Sequence, residues 1–339
     1  MIASPWFYRL SLLTAVLALC VVVLGAYVRL NDAGLGCPDW PGCYGHLTVP
    51  QSQVAVAAAN AAYPSQPVEP AKGWKEMIHR YFAGTLGLLI VALAILAWRK
   101  RKVAGQPVVM PLVLVGLVIF QALLGMWTVT WQLKPAIVLA HLLGGLAIVS
   151  LLWWQVLRVG RLGTKSSRLA PTHWLKAALG LGLILVVAQI ALGGWTSSNY
   201  AALACNQFPA CHSGEIVPDN VNFEEAFVLW RGLGINYEYG VLESPARVAI
   251  HLTHRLGAVI VAVFTLGLAF ALWRWVPGRA ANWSAAALTL LVTVQFALGV
   301  TNVLGDLPLP VAVAHNAVAA LLLLAFVTLN HLIRPVRES

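Results

Sequence analysis

The sequence predicts an all-α integral membrane protein of eight transmembrane helices, arranged as two pseudo-symmetric four-helix bundles. Three observations predict it. Of the 339 residues, 60% are hydrophobic and only 10% charged. The mean hydropathy is +0.78, and so few charges cannot clothe a soluble domain of this size. Eight apolar stretches are long enough to cross roughly 30 Å of hydrocarbon. The third observation is internal repetition. Glu76-Met77-Ile78-His79-Arg80 is matched by His251-Leu252-Thr253-His254-Arg255, with His79 and His254 175 residues apart. His141 and His315 lie 174 apart.

The first stretch, 10–30, has the look of a secretion signal, but the repeat gives it a partner. Leu24-Gly25 precedes Cys37 by the interval at which Leu192-Gly193 precedes Cys205, and Cys43 and Cys211 each follow six residues later. It is therefore read as retained. Residues 47–72, rich in Ala, Pro and Gln, read as a flexible cover. The second span, 77–98, ends at Arg99-Lys100-Arg101-Lys102. The third, 108–130, contains Gln121-Ala122-Leu123-Leu124-Gly125. The fourth, 136–158, leads into Arg158, Arg161, Lys165 and Arg168. A linker at 160–172 then joins the half 1–159 to the half 173–339.

The fifth span covers 173–197. The loop after it carries Trp230, Tyr237 and Tyr239 between Phe223 and Leu242, a stretch that suits a short interfacial helix. The sixth span, 246–275, is longer than a bilayer requires, so its first turn or two project. Arg274 and Arg279 follow it. The seventh, 282–304, contains Gln295-Phe296-Ala297-Leu298-Gly299, and each of the two glutamines precedes a histidine by twenty residues. The eighth, 309–332, is followed by Arg334 and Arg337.

The net charge of +10 thus falls in short loops beside apolar runs and is a topology signal, with no nucleic-acid partner implied. The positive-inside rule puts both termini and these loops in the cytoplasm and the loops 31–75 and 198–245 outside. His79, His141, His254 and His315 then fall near the outer ends of the second, fourth, sixth and eighth spans. Paired on neighbouring helices, they suit haem, whose iron accepts two axial imidazoles. Zinc fits less well, because a structural zinc site takes four ligands. His46, His173, His212 and His331 have no matched partner and read as solvated or structural.

Arg80 and Arg255 follow their histidines directly. Each reads either as a snorkelling cation or as a guanidinium for a haem propionate. Glu76 lies one turn from His79, where the second half has His251. It reads as a base or charge stabiliser, or as a first-turn glutamate favoured by the helix dipole. His251 is a neighbour of the ligand or an alternative ligand, with His254 preferred because it keeps the His-Arg register. Cys37/Cys43 and Cys205/Cys211 in outward loops suit disulfides that staple the loops or act in redox. Cys20, mid-helix, reads as packed.

Asn31-Asp32-Ala33-Gly34-Leu35-Gly36-Cys37-Pro38-Asp39-Trp40-Pro41-Gly42-Cys43-Tyr44-Gly45, then Glu76 to Arg80 and His254-Arg255-Leu256-Gly257, resembles the haem A synthase family over nearly the whole chain. The resemblance implies an enzyme of the bacterial cytoplasmic (inner) membrane that oxidises the C8 methyl of haem O to a formyl group for terminal oxidases. It implies haem b on His254 and His315, and a substrate site at His79 and His141 with Glu76 important for turnover. It also implies a role for Cys37 and Cys43 in activity. Cys205 and Cys211 match a pair that only some members have. Expected partners are haem O and its upstream synthase, an electron donor and the bilayer, with a homo-oligomer allowed. The four histidines alone also suit a di-haem b electron carrier or a non-catalytic haem-handling assembly factor.

Overall fold

The computed structural model describes residues 5–334 except 104, 161–168, 170, 171 and 213. Arg161, Lys165, Arg168, Arg337 and most of the 160–172 linker lie outside the described residues. Among the described residues eight helices are long and apolar enough to cross a membrane: α1 (Pro5–Leu30), α3 (Pro70–Arg99), α4 (Val109–Thr130), α5 (Pro135–Val159), α6 (His173–Ser198), α8 (Ser244–Trp275), α9 (Arg279–Leu304) and α10 (Leu309–Leu332). Two short helices, α2 (Gln53–Ala62) and α7 (Phe223–Ala226), complete the set among the described residues. No strand occurs among the described residues, only isolated bridges at Cys43–His46 and His212–Glu215.

The helices that carry the four paired histidines, α3, α5, α8 and α10, all have proline in their first two positions. Proline suits that position because its φ is already helical and the missing N–H has no intrahelical partner there. These starts lie one to seven residues before the expected span boundaries at three of the four helices. The polar first turn hides them from a reading by hydropathy.

Helices α1, α3, α4 and α5 pack as a closed ring, α1 against α3 and α5, and α4 against α3 and α5. Helices α6, α8, α9 and α10 repeat that neighbour pattern. The rings meet through α1–α10, α5–α10 and α5–α6 contacts. At this junction Trp153 Nε1 donates to Thr328 Oγ1 at 2.8 Å. At the other end Arg29 donates to the Ser197 carbonyl at 2.6 Å and lies 4.1 Å over the Tyr200 ring. Along α1 the inward stripe is Phe7, Ser11, Thr14, Ala18 and Val21. Cys20 falls off that stripe and is exposed, not packed. An apolar groove of about 680 Å³ lies between α8 and α9, with Leu266, Phe270 and Trp273 but no histidine in its walls.

The expected flexible cover contains a ten-residue helix, α2, whose cap is Ser52 accepting from the Ala55 N–H at 3.2 Å. Alanine-rich sequence favours helix once a cap stops fraying. This segment packs Val49, Ala59, Tyr63 and Val68 with Cys37, Cys43, Tyr44 and Met77. The Tyr44 hydroxyl donates to the carbonyls of Gln66 and Pro67 at 3.1 Å each. Burial first, and Glu69 next, push this phenol up to about 12, so it stays a donor.

The loop 227–242 is not the expected interfacial helix. Helix is confined to the single turn at Phe223–Ala226, and the rest crosses to the other ring. Tyr237 N–H donates to the Gln132 carbonyl at 3.0 Å. Lys134, buried at 1% exposure, donates to the Gly232 carbonyl and sits 3.0 Å over the Trp230 ring. Van der Waals and cation–π contacts thus replace solvation of the ammonium. Lys134→Met should release this clasp and speed trypsin cleavage at Arg231 several-fold. An unchanged digestion rate would show that the loop is held elsewhere.

Candidate functional site

Each of the four histidines lies against a glycine of the preceding long helix. A Cβ on Gly25 of α1 would stand 3.0 Å from His79 Cε1, and one on Gly193 of α6 3.0 Å from His254 Cε1. At Gly125 of α4 and Gly299 of α9 the distances to His141 and His315 are 3.2 Å. Carbon atoms prefer 3.5–4.0 Å. Only glycine therefore lets an imidazole lie this close to the neighbouring backbone. His141 is within electrostatic reach of His79, and His254 of His315. Among the described residues no group of three or more His, Cys, Asp or Glu converges as a metal cluster.

Four residues before three of those glycines stands a glutamine. Gln121 Nε2 lies 3.1 Å from His141 Nδ1 and donates to the His141 carbonyl at 2.7 Å. Gln189 does the same for His254, at 3.0 and 2.9 Å. Gln295 Nε2 lies 3.1 Å from His315 Nε2. Room for two of the amides comes from Gly144 and Gly257, three residues after their histidines, where a Cβ would stand 2.2 Å from the glutamine oxygen. The sequence shows Gln121 and Gln295 and the four cradle glycines as repeat matches, whereas Gln189, Gly144 and Gly257 have no such match, and nothing in the chain alone reveals that any of them touches an imidazole.

Beside each first-of-pair histidine sits a disulfide loop, Cys37–Cys43 or Cys205–Cys211. Glu76 Oε2 accepts from the Cys37 N–H at 3.0 Å. His251 Nδ1 accepts from the Cys205 N–H at 3.2 Å. Both side chains are buried, at 4% exposure, so the two residues hold the same point of their loops with different chemistry. Arg80 donates to Glu76 Oε1, to the carbonyls of Asp39 at 2.9 Å and Pro41 at 3.3 Å, and to that of Gly42. Arg255 donates to the carbonyls of Ala210, Cys205 and Gln207 at 2.9, 3.1 and 2.8 Å.

Sequence reasoning offers snorkelling or a propionate for the two arginines. In the structure both guanidinium groups bind loop carbonyls. His46 and His173 are exposed, His212 lies 3.2 Å from Asn206 Oδ1, and His331 is buried edge-on against Trp154.

The pairs fit haem on an observation independent of any bound group. Each imidazole has a cradle that a single Cβ would fill, and each pair would offer two imidazoles to a haem iron. The buried Oε1 atoms of Gln121 and Gln189 have no partner. The Nε2 group of each amide faces both Nδ1 and the carbonyl of its histidine, so the glutamine holds the ring by its Nδ1 edge.

Comparison with known proteins agrees in extent and kind. Residues 8–327 match the COX15-CtaA family, described as cytochrome oxidase assembly protein. The haem A synthase of Shewanella oneidensis is 44% identical over 326 residues, 96% of this chain and 95% of that protein. The haem A synthases of Halalkalibacterium halodurans and Rhizorhabdus wittichii are 27% and 28% identical, over 95% and 94% of this chain and 94% and 92% of their own lengths. With the paired histidines and disulfide loops inside the matched length, and that length reaching from the first span to the eighth, the chain belongs to this cytochrome oxidase assembly family, that of the haem A synthases.

Proposed function

We propose that this chain is a haem A synthase that oxidises the C8 methyl of haem O to a formyl group at the N-terminal pair, His79 and His141. Haem b is held by His254 and His315 in the C-terminal half. The observation that carries this division is the exchange of Glu76 for His251 at the one position where otherwise matching sites hold their disulfide loops. Only the first site has a buried carboxylate one turn from its histidine. Held by His254 and His315, haem b would supply electron transfer there.

His79 and His141 orient haem O through its iron. Glu76 stabilises positive charge or takes a proton at the reacting methyl. Arg80 and Arg255 act from the outer edge by pinning the disulfide loop beside each site. Helix order and the basic loops support cytoplasmic termini and haem sites near the outer face of the bacterial cytoplasmic membrane. Haem O then arrives from its upstream synthase through the bilayer, and electrons come from a separate donor.

The test is to supply haem O and reductant and to identify the extracted haems by chromatography and mass spectrometry. Haem A, or its hydroxylated precursor, is expected. Haem b alone would support a two-haem electron carrier. Glu76→Gln keeps an acceptor for the Cys37 N–H but removes the charge. It should retain haem b and lower conversion by about a hundredfold or more; undiminished yield would remove Glu76 from the chemistry.

A further inference from the structure

The four imidazoles are not equally supported. His141 and His254 each have a glutamine amide at Nδ1, with a glycine three residues later that makes room for it. His315 has Gln295 Nε2 3.1 Å from its Nε2, although its Nδ1 is buried without a partner. His79 has none. The residue four before its glycine is Val21, which offers neither donor nor acceptor, and His79 Nδ1 is buried with no hydrogen-bond partner. Three residues after His79 stands Phe82, where His141 and His254 are followed by Gly144 and Gly257. The first pair therefore joins one braced ring to one unbraced ring.

A partner on the second ring nitrogen fixes the imidazole's orientation toward a metal, and losing one costs about 10–100-fold in affinity. We infer that His79 is the exchangeable ligand of the N-terminal pair: His141 retains the porphyrin iron while His79 lets go, so that the haem is released. This rests on the proposed function, in which the N-terminal haem is substrate and must leave as product. A resident haem gains from two firm ligands, whereas a substrate haem held by two firm ligands would be slow to depart. Val21 thus acts on release through His79 and is a positioning residue.

Transfer of haem from the purified, loaded protein to excess apomyoglobin tests this. Release should be biphasic, with the fast phase from the N-terminal pair. Val21→Gln, which installs the amide present before the other three glycines, should slow that phase about tenfold and leave the slow phase alone. Val21→Leu, with comparable bulk and no amide, should not slow it. An unchanged fast phase in Val21→Gln, or equal slowing by Val21→Leu, overturns the inference. Should Val21→Gln fail to load, Gln121→Leu decides: it should speed the fast phase about tenfold, and an unchanged rate there overturns the inference equally. The identity of the haem leaving in the fast phase separates this from the underlying reading. Haem O or haem A supports the substrate assignment, while haem b would sink that assignment and leave the rates to judge His79.

Discussion

Gly193→Val is expected to lower the haem b proposed for the C-terminal half by more than about tenfold per protein. A Cβ at this position would stand 3.0 Å from His254 Cε1, with Nε2 and Nδ1 at 3.7 and 3.8 Å, so the whole ring edge is blocked. Valine adds two further methyls in a stiff χ1 well, and helix packing leaves little freedom to move α6 from α8. The imidazole must turn away, and iron ligation is lost with its geometry. Gly180 on the same helix has nothing within 4 Å of its Cβ position. Gly180→Val therefore controls for a branched residue in α6 and should keep full haem. Haem content by pyridine haemochrome checks both. Normal haem in Gly193→Val would mean that His254 does not bind from the cradle described. By the same argument Gly25→Val should empty the N-terminal site and leave haem b in place.

Arg80→Ala carries the second large effect. Its guanidinium pairs with Glu76, the two side chains being 12% and 6% exposed, and it gathers the carbonyls of Asp39, Pro41 and Gly42. Removing one partner of a buried ion pair strands the other charge and costs about 3–5 kcal/mol. The loop carbonyls also lose their donors. Thermal stability in detergent should fall clearly, and haem A yield should fall with it. Adding Glu76→Gln to Arg80→Ala removes the stranded charge and should recover part of the stability without recovering yield. That non-additivity is the mark of direct coupling. Arg80→Lys should fall between, since a point charge cannot span the fork of acceptors. Wild-type stability in Arg80→Ala would contradict the ion-pair account.

The eight spans, the matched disulfide loops and the four histidines are legible in the sequence because hydropathy and repetition are local signals, read along one line. The span boundaries at 30, 130, 304 and 332 coincide with helix ends. What escapes is tertiary. Glu76 reaches the Cys37 N–H across 39 residues, and its equivalence to His251 in holding a loop appears only when both loops are folded. Gly25, Gly125, Gly193 and Gly299 are visible as repeat letters, yet their role depends on an imidazole arriving from another helix. The clasp at 227–242 has aromatic composition that suits an interface, but Lys134, the group it meets, belongs to the other half of the chain. Helix α2 is hidden for a different reason: alanine, proline and glutamine together resemble a linker, and one serine cap decides the matter.

The account stands on two pairs of histidines with different tasks. The most direct measurement is the identity of the haems retained by His141→Ala and His315→Ala, purified from cells supplied with haem O. The account predicts that His315→Ala loses haem b and keeps haem O or its oxidation products, while His141→Ala keeps haem b and loses the others. Loss of half the haem b in each variant, with no modified haem in either, would contradict it.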